Sequence, residues 1–293
     1  MPFLNDYFQT AAETGKLAHC ILFYGSDLQA QYDLALEIAR KLNCTCNPHP
    51  DPLPTLTQRE RETFKNQMEL GEGKEDCQCL NCKWIRENKH PAVLTISKVD
   101  NKPPDDDSST VISVAQARMI KNNLLVTSDY HRVLIFCDKD KEGNVCGLNE
   151  TNFQAETANA LLKTFEEPPS NTTFFFLTKD KSDMISTIIS RAQSFFVPST
   201  KDENRDFALV KDLMDWYLEI ERAQVLEFID KILALTKEND ALEVFTQMQN
   251  YLYCTLSFPP PHLPPIETAK KQLKLNMNIN TIVENLAFSL ILD

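Results

Sequence analysis

Two architectures follow one another along this chain: an α/β layer built on a parallel sheet, then an all-α region. Three observations predict them. Short apolar runs bounded by polar loops alternate with segments of helical period as far as residue 198. The first of those runs enters a helix through a glycine-led loop, "YGSDLQAQY". From residue 199 onward the apolar patterns are helical.

The elements follow in order. Residues 21–24, "ILFY", form a strand, and behind it Leu34, Ala35, Ile38, Ala39 and Leu42 recur at helical spacing. Residues 45–82 turn polar. Pro48, Pro50, Pro52 and Pro54 exclude helix there, Gly71 and Gly73 mark loop, and "TQRERETFKNQMEL" reads as a short helix within an insertion. "HPAVLTI" is a second strand, the acidic "DNKPPDDDSS" an exposed loop and "SVAQARMIKNNLLV" a helix. "RVLIFCD" suits a parallel strand buried on both faces. "ETANALLKTFEEPP" is a helix stopped by Pro168 and Pro169, "TTFFFLT" a buried strand, "ISTIISRA" a short helix and "SFFVP" the last strand. The domains expected are 1–198, with the insertion at about 44–82, and 199–293, whose helices are interrupted by the Pro-rich "SFPPPHLPP".

The net charge of −12 argues against a nucleic-acid footprint spread over the whole surface, since that needs clustered Lys and Arg; a local strip such as "AKKQLKLN" is the exception. No apolar run approaches the roughly 18 residues of a membrane span. "MPFLNDYFQT" lacks the charged-then-apolar layout of a signal peptide, so a cytoplasmic protein without a membrane partner is expected. Nine cysteines, several crowded into "CTC" and "CQCLNC", favour metal or redox chemistry over a disulfide framework.

The glycine-led loop has the layout of a phosphate-binding P-loop but not its chemistry. A working loop reads G-x-x-x-x-G-K-[ST]. Here the second Gly, the Lys and the Ser/Thr fall at Ala30, Gln31 and Tyr32 after Gly25. On the residues alone, Gly25 is a chance glycine after a strand. Arg191 in "ISRAQ" is then a solvated arginine at a helix end, where the dipole favours a cation.

The order of "LAHCILFYG", "HPAVLTI", "NALLKTFEEPP" and "TIISRAQSFFVP" resembles one family, the clamp-loader subunits of the bacterial DNA polymerase III holoenzyme, which are AAA+ proteins. That resemblance covers most of residues 15–198 and implies an AAA+ sheet domain followed by a reduced helical lid and a collar-like oligomerisation domain. Asp138 falls at the family's metal-organising Asp, while Lys139 replaces the Glu that would position the attacking water. With Gln31 and Tyr32 this implies a degenerate nucleotide site that binds no ATP, as in delta-prime-type subunits. Arg191 stands where the family's Ser-Arg-Cys motif offers an arginine finger to a neighbour's ATP, although Ala192 replaces the Cys. The family's zinc module implies a structural Zn²⁺ held by Cys77, Cys79 and Cys82 with Cys44 or Cys46, although one residue rather than two separates Cys77 from Cys79. The partners implied are gamma/tau-like and delta-like subunits, the sliding clamp and primer–template DNA. A divergent gamma/tau-like ATPase and a zinc-stabilised adaptor with a dead AAA+ domain are the alternative readings.

Overall fold

The computed structural model describes residues 2–46, 77, 79–103, 112–150, 152–153, 155–198, 208–255 and 263–292. The short helix expected at 57–70 and the prolines at 48–54 lie outside them. The chain divides after Val197 into two compact units.

Among the described residues, seven strands belong to the first unit: β1 (Cys20–Tyr24), β2 (Val93–Ile96), β3 (Arg132–Phe136), β4 (Asp138–Lys139), β5 (Val145–Cys146), β6 (Thr172–Thr178) and β7 (Gln193–Phe196). Five of them make one parallel sheet in the order β2-β3-β6-β1-β7, while β4 and β5 form a small antiparallel ladder. β6 lies centrally, with Phe175 in register with Ile21 on one side and Ile135 on the other. The run Phe174, Phe175, Phe176 is fully buried, so both faces of the sheet are covered.

Side-chain alternation sorts the two faces. Leu22, Leu134, Phe174 and Phe176 share a core with Ile120 and Leu124 of one helix (Val114–Leu125) and Leu161 and Phe165 of another (Ala155–Glu166). Within it Phe136 stacks on Phe176 at 5.0 Å and 8°. On the opposite face Phe23 meets Phe175 and Phe8, the latter from an N-terminal helix, Pro2–Glu13. Numbered in chain order, the helices of this unit are α1 (Pro2–Glu13), α2 (Leu28–Asn43), α3 (Leu80–Arg86), α4 (Val114–Leu125), α5 (Ala155–Glu166) and α6 (Ser186–Ile189). α2 buries Leu34, Ala35 and Ile38 and touches β1, β3 and β6. Each large apolar side chain of this kind contributes about 1.5–3 kcal/mol when fully buried.

The sequence reading assigns no element at α1, at α3 or at the β4–β5 ladder. For α1 the sign is there to be read: Leu4, Tyr7, Phe8 and Ala11 recur at helical spacing, and Tyr7 and Phe8 lie against Phe195. The histidine of "HPAVLTI" serves the fold. His90 is 2% exposed, its Nδ1 accepts from the Ala92 N–H at 3.2 Å, and burial lowers its pKa.

The second unit holds α7 (Lys211–Tyr217), α8 (Val225–Glu238), α9 (Ala241–Thr255), α10 (Leu263–Lys274) and α11 (Ile279–Leu292). All five contribute to one core, represented by Met214, Phe228, Phe245, Ile266 and Leu286. The Tyr217 hydroxyl donates to the Leu290 carbonyl at 3.0 Å, tying α7 to α11. The local strip "AKKQLKLN" is narrower in the structure than in the sequence. Lys270 is 9% exposed and its Nζ donates to Gln249 Oε1 at 3.1 Å, so only Lys271 and Lys274 face out.

Candidate functional site

β1 runs into the loop at Gly25, and α2 begins three residues later. Gly25 has φ +147°, and a Cβ there would lie 2.3 Å from the Val197 carbonyl oxygen, so the position excludes other residues on two grounds. The N-terminus of a helix in this setting presents free N–H groups and a partial positive charge to an anion. Here the chain supplies the anion itself. Asp27 caps α2, its carboxylate accepting from the Ala30 N–H at 3.0 Å.

Gln31, wholly buried, points inward. Its Nε2 donates to the carbonyls of Gly25 at 3.0 Å and Thr178 at 3.1 Å, while its Oε1 has no hydrogen-bond partner. Tyr32 sends its hydroxyl away from the loop to Thr95 Oγ1 on β2 at 2.7 Å and Asn88 Oδ1 at 3.2 Å. Burial raises its pKa, so it stays a neutral phenol. Neither side chain can do what a Lys and a Ser/Thr would do for a Mg²⁺-bound triphosphate.

The acidic motif is closed in the same way. Asp138 accepts from Lys98 Nζ at 3.1 Å and from the Lys139 N–H at 2.8 Å. Lys139 Nζ in turn sits 2.8 Å from Asp100 and 5.6 Å from the centre of the Tyr32 ring. An ammonium therefore occupies one side of the carboxylate that a divalent cation would need. Asp27, Lys98 and Asp100 are not singled out by the sequence motifs. Asp27 carries a readable signal, an Asp directly before a helical pattern; the lysine–aspartate pairs, formed across separate segments, carry none.

Arg191 belongs to another corner, just beyond the C-terminal end of α6. Its Nε donates to Glu166 Oε1 at 3.0 Å, its Nη2 reaches the same oxygen, and its Nη1 donates to the Thr187 carbonyl at 2.9 Å and Ser190 Oγ at 3.2 Å. The side chain of Arg191 is 30% exposed and that of Glu166 48%. Glu166, the last residue of α5, is likewise missed by the motifs.

At the far end of α2, Cys44 is the C-cap. Cys79 is the N-cap of α3, its Sγ accepting from the Cys82 N–H at 3.5 Å. The thiols of Cys44, Cys77, Cys79 and Cys82 all lie within 4.8 Å of one another, with Cys44 at 3.5 Å from Cys77 and 3.8 Å from Cys79. Cys46 is exposed and outside this set. Four thiolates at about 2.3 Å from a tetrahedral centre stand about 3.8 Å apart, so the cluster can hold a metal ion. Arg86 Nη2 on the Cys77 carbonyl at 2.8 Å and Asn81 Nδ2 on the Asn43 carbonyl at 2.8 Å tie its parts together. Burial would raise the Cys79 thiol, but hydrogen bonds from the Cys82 N–H and from Thr45 lower it to about 6.

A family model described as DNA polymerase III, delta subunit, matches residues 2–201. The DNA polymerase III subunit delta' of Bacillus subtilis (strain 168) is 26% identical over 196 residues, covering 66% of this chain and 46% of that protein, so the match spans about half the relative's length. A solved structure described as a DNA polymerase III, gamma subunit-related protein from Thermotoga maritima aligns over 97% of this chain and 96% of its own, at a TM-score of 0.37 and 14% identity. That level of likeness adds nothing to the family assignment.

Proposed function

The chain belongs to the DNA polymerase III delta-subunit family, and from that membership we infer that it is a delta-prime-type clamp-loader subunit, one that does not hydrolyse ATP but completes the ATP site of a neighbour. In this reading it assembles with gamma/tau-like and delta-like subunits and helps load the sliding clamp at primer–template DNA. The observation that carries it is the occupation of the phosphate-facing end of α2 by the chain's own Asp27 and Gln31. A γ-phosphate placed there would meet a carboxylate rather than a lysine. Asp138, already paired with Lys98, offers Mg²⁺ little in compensation.

Arg191 is partly exposed and bound only by groups of its own chain, and a guanidinium presented in trans can stabilise the charge that develops on a transferred phosphoryl. The helical unit is the natural counterpart of the family's collar. Among the described residues its first helix starts at Lys211, which leaves little chain for a lid over a nucleotide. Cys44, Cys77, Cys79 and Cys82 hold Zn²⁺ in this proposal. All four positions are filled by protein, so the ion fastens the C-terminal end of α2 to the N-terminal end of α3 and does not catalyse.

The test is Arg191→Ala in the complex reconstituted with its native partner subunits. Assembly and melting should match wild type, because the side chain is partly exposed and its ion pair contributes little to stability. Clamp- and DNA-stimulated ATP turnover should fall severalfold. The loss should stay well short of the roughly 10³–10⁵ of a single-site enzyme, because other interfaces in the ring keep their own arginines. Unchanged turnover in an intact mutant complex would overturn the reading.

A further inference from the structure

The guanidinium of Arg191 is not waiting free. All three of its nitrogens are engaged by acceptors of its own chain, two of them by a single oxygen of Glu166 and the third by Thr187 and Ser190. A guanidinium in that state has its donors directed inward and its charge compensated at contact distance. Toward an outside phosphate it acts as one end of a dipole, whose field falls off faster than that of a bare cation.

Glu166 itself stands in an unfavourable place. It is the last residue of α5, where the helix dipole presents its negative end and a carboxylate is disfavoured. The Thr187 carbonyl, in the single turn of α6, accepts from Nη1 on the other side. Arg191 is thus held between the C-terminal end of α5 and the α6 turn, by a pair whose partial exposure keeps it weak enough to open.

We propose that Glu166 is the counter-ion that a neighbouring subunit's nucleoside-triphosphate phosphate must displace before Arg191 can act, so that its carboxylate restrains basal hydrolysis at that interface. The proposal rests on the reading of Arg191 as a finger. The phosphate, with more negative charge and more acceptor oxygens than one carboxylate, takes over the Nε–Nη2 edge, and Glu166 is released to solvent. The exchange replaces one charge-assisted pair by another and is therefore readily reversible.

Glu166→Gln separates charge from shape, since its amide oxygen can still accept from Nε and Nη2. In the reconstituted complex, Glu166→Gln should raise ATP turnover measured without clamp or DNA by about two- to fivefold, the range an exposed ion pair can supply. Glu166→Asp, still charged but drawn back by one methylene, should raise it less. Adding Arg191→Ala to Glu166→Gln should abolish the gain. If Arg191→Ala lowers stimulated turnover but neither Glu166 variant raises the basal rate, the counter-ion role falls and the finger stands. If Arg191→Ala changes nothing, the finger reading falls first and this proposal with it.

Discussion

The two ends of α2 have the makings of comparable ligand sites and have fared differently. At the N-terminal end, beside Gly25, every group that would meet a nucleotide is turned to internal use: Asp27 caps the helix, Gln31 bonds two carbonyls and Tyr32 reaches β2. At the C-terminal end, beside Cys44, four thiols converge within 4.8 Å. The first end is closed by hydrogen bonds between the chain's own groups. The second is a set of ligand atoms whose mutual contacts are weak, because thiols are poor donors and acceptors. The groups at the first end are committed to one another, whereas those at the second stand in position to take a metal ion.

The sharpest way to break that contrast is to remove what the cysteine end is proposed to hold. Protein purified reduced should contain one zinc per chain, retained through dialysis against a mild chelator. Cys82→Ala or a strong chelator should release it and expose α3 to proteolysis, whereas Cys46→Ala should retain it. Zinc-finger peptides gain about 10–16 kcal/mol from such binding, so loss should melt this corner outright. A metal content near zero would make the two ends alike after all.

At the other end the backbone, not a ligand, carries the strain. Gly25→Ala should destabilise the sheet unit by about 2–4 kcal/mol, from a left-handed φ and the contact with the Val197 carbonyl, and lower its melting temperature by roughly 5–15 °C. The size of that loss should not depend on nucleotide. An unchanged melting temperature would show that the loop relaxes and that its shape is not fixed by the fold.

How much of this is legible in the sequence differs between the ends in the same way. The strands of the sheet are legible, because runs such as "TTFFFLT" and "RVLIF" are buried on both faces and bounded by polar turns. The absence of a lysine at Gln31 and the convergence of "CTC" with "CQCLNC" are also legible, since each depends on local spacing. The ion pairs around these positions are not. Lys98 with Asp138, Lys139 with Asp100 and Arg191 with Glu166 join residues 40, 39 and 25 positions apart, and single charges in loops, in a two-residue strand and at helix ends leave no periodic trace. Nor does sequence choose between Cys44 and Cys46; the C-cap position of Cys44 on α2 brings its thiol inward and leaves Cys46 exposed.

The smallest effect is expected from trying to reopen the closed end. Gln31→Lys restores the letter that a P-loop needs, yet it places an ammonium where a neutral amide is wholly buried. Its donors can still reach the Gly25 and Thr178 carbonyls, which offsets part of the desolvation, and the orphaned Oε1 is removed at the same time. The balance should be a loss of about 1–2 kcal/mol, read as a melting shift of a few degrees. Mg·ATP should add nothing to that melting temperature. Asp27 still holds the helix N-terminus, Tyr32 still stands where the metal needs a small hydroxyl, and Lys98 still neutralises Asp138. A site closed by several independent groups does not reopen when one is reverted. A rise in melting temperature with Mg·ATP in the single variant would show the opposite: that Gln31 alone had closed it, and that the two ends of α2 differ by one residue rather than by a repacked environment.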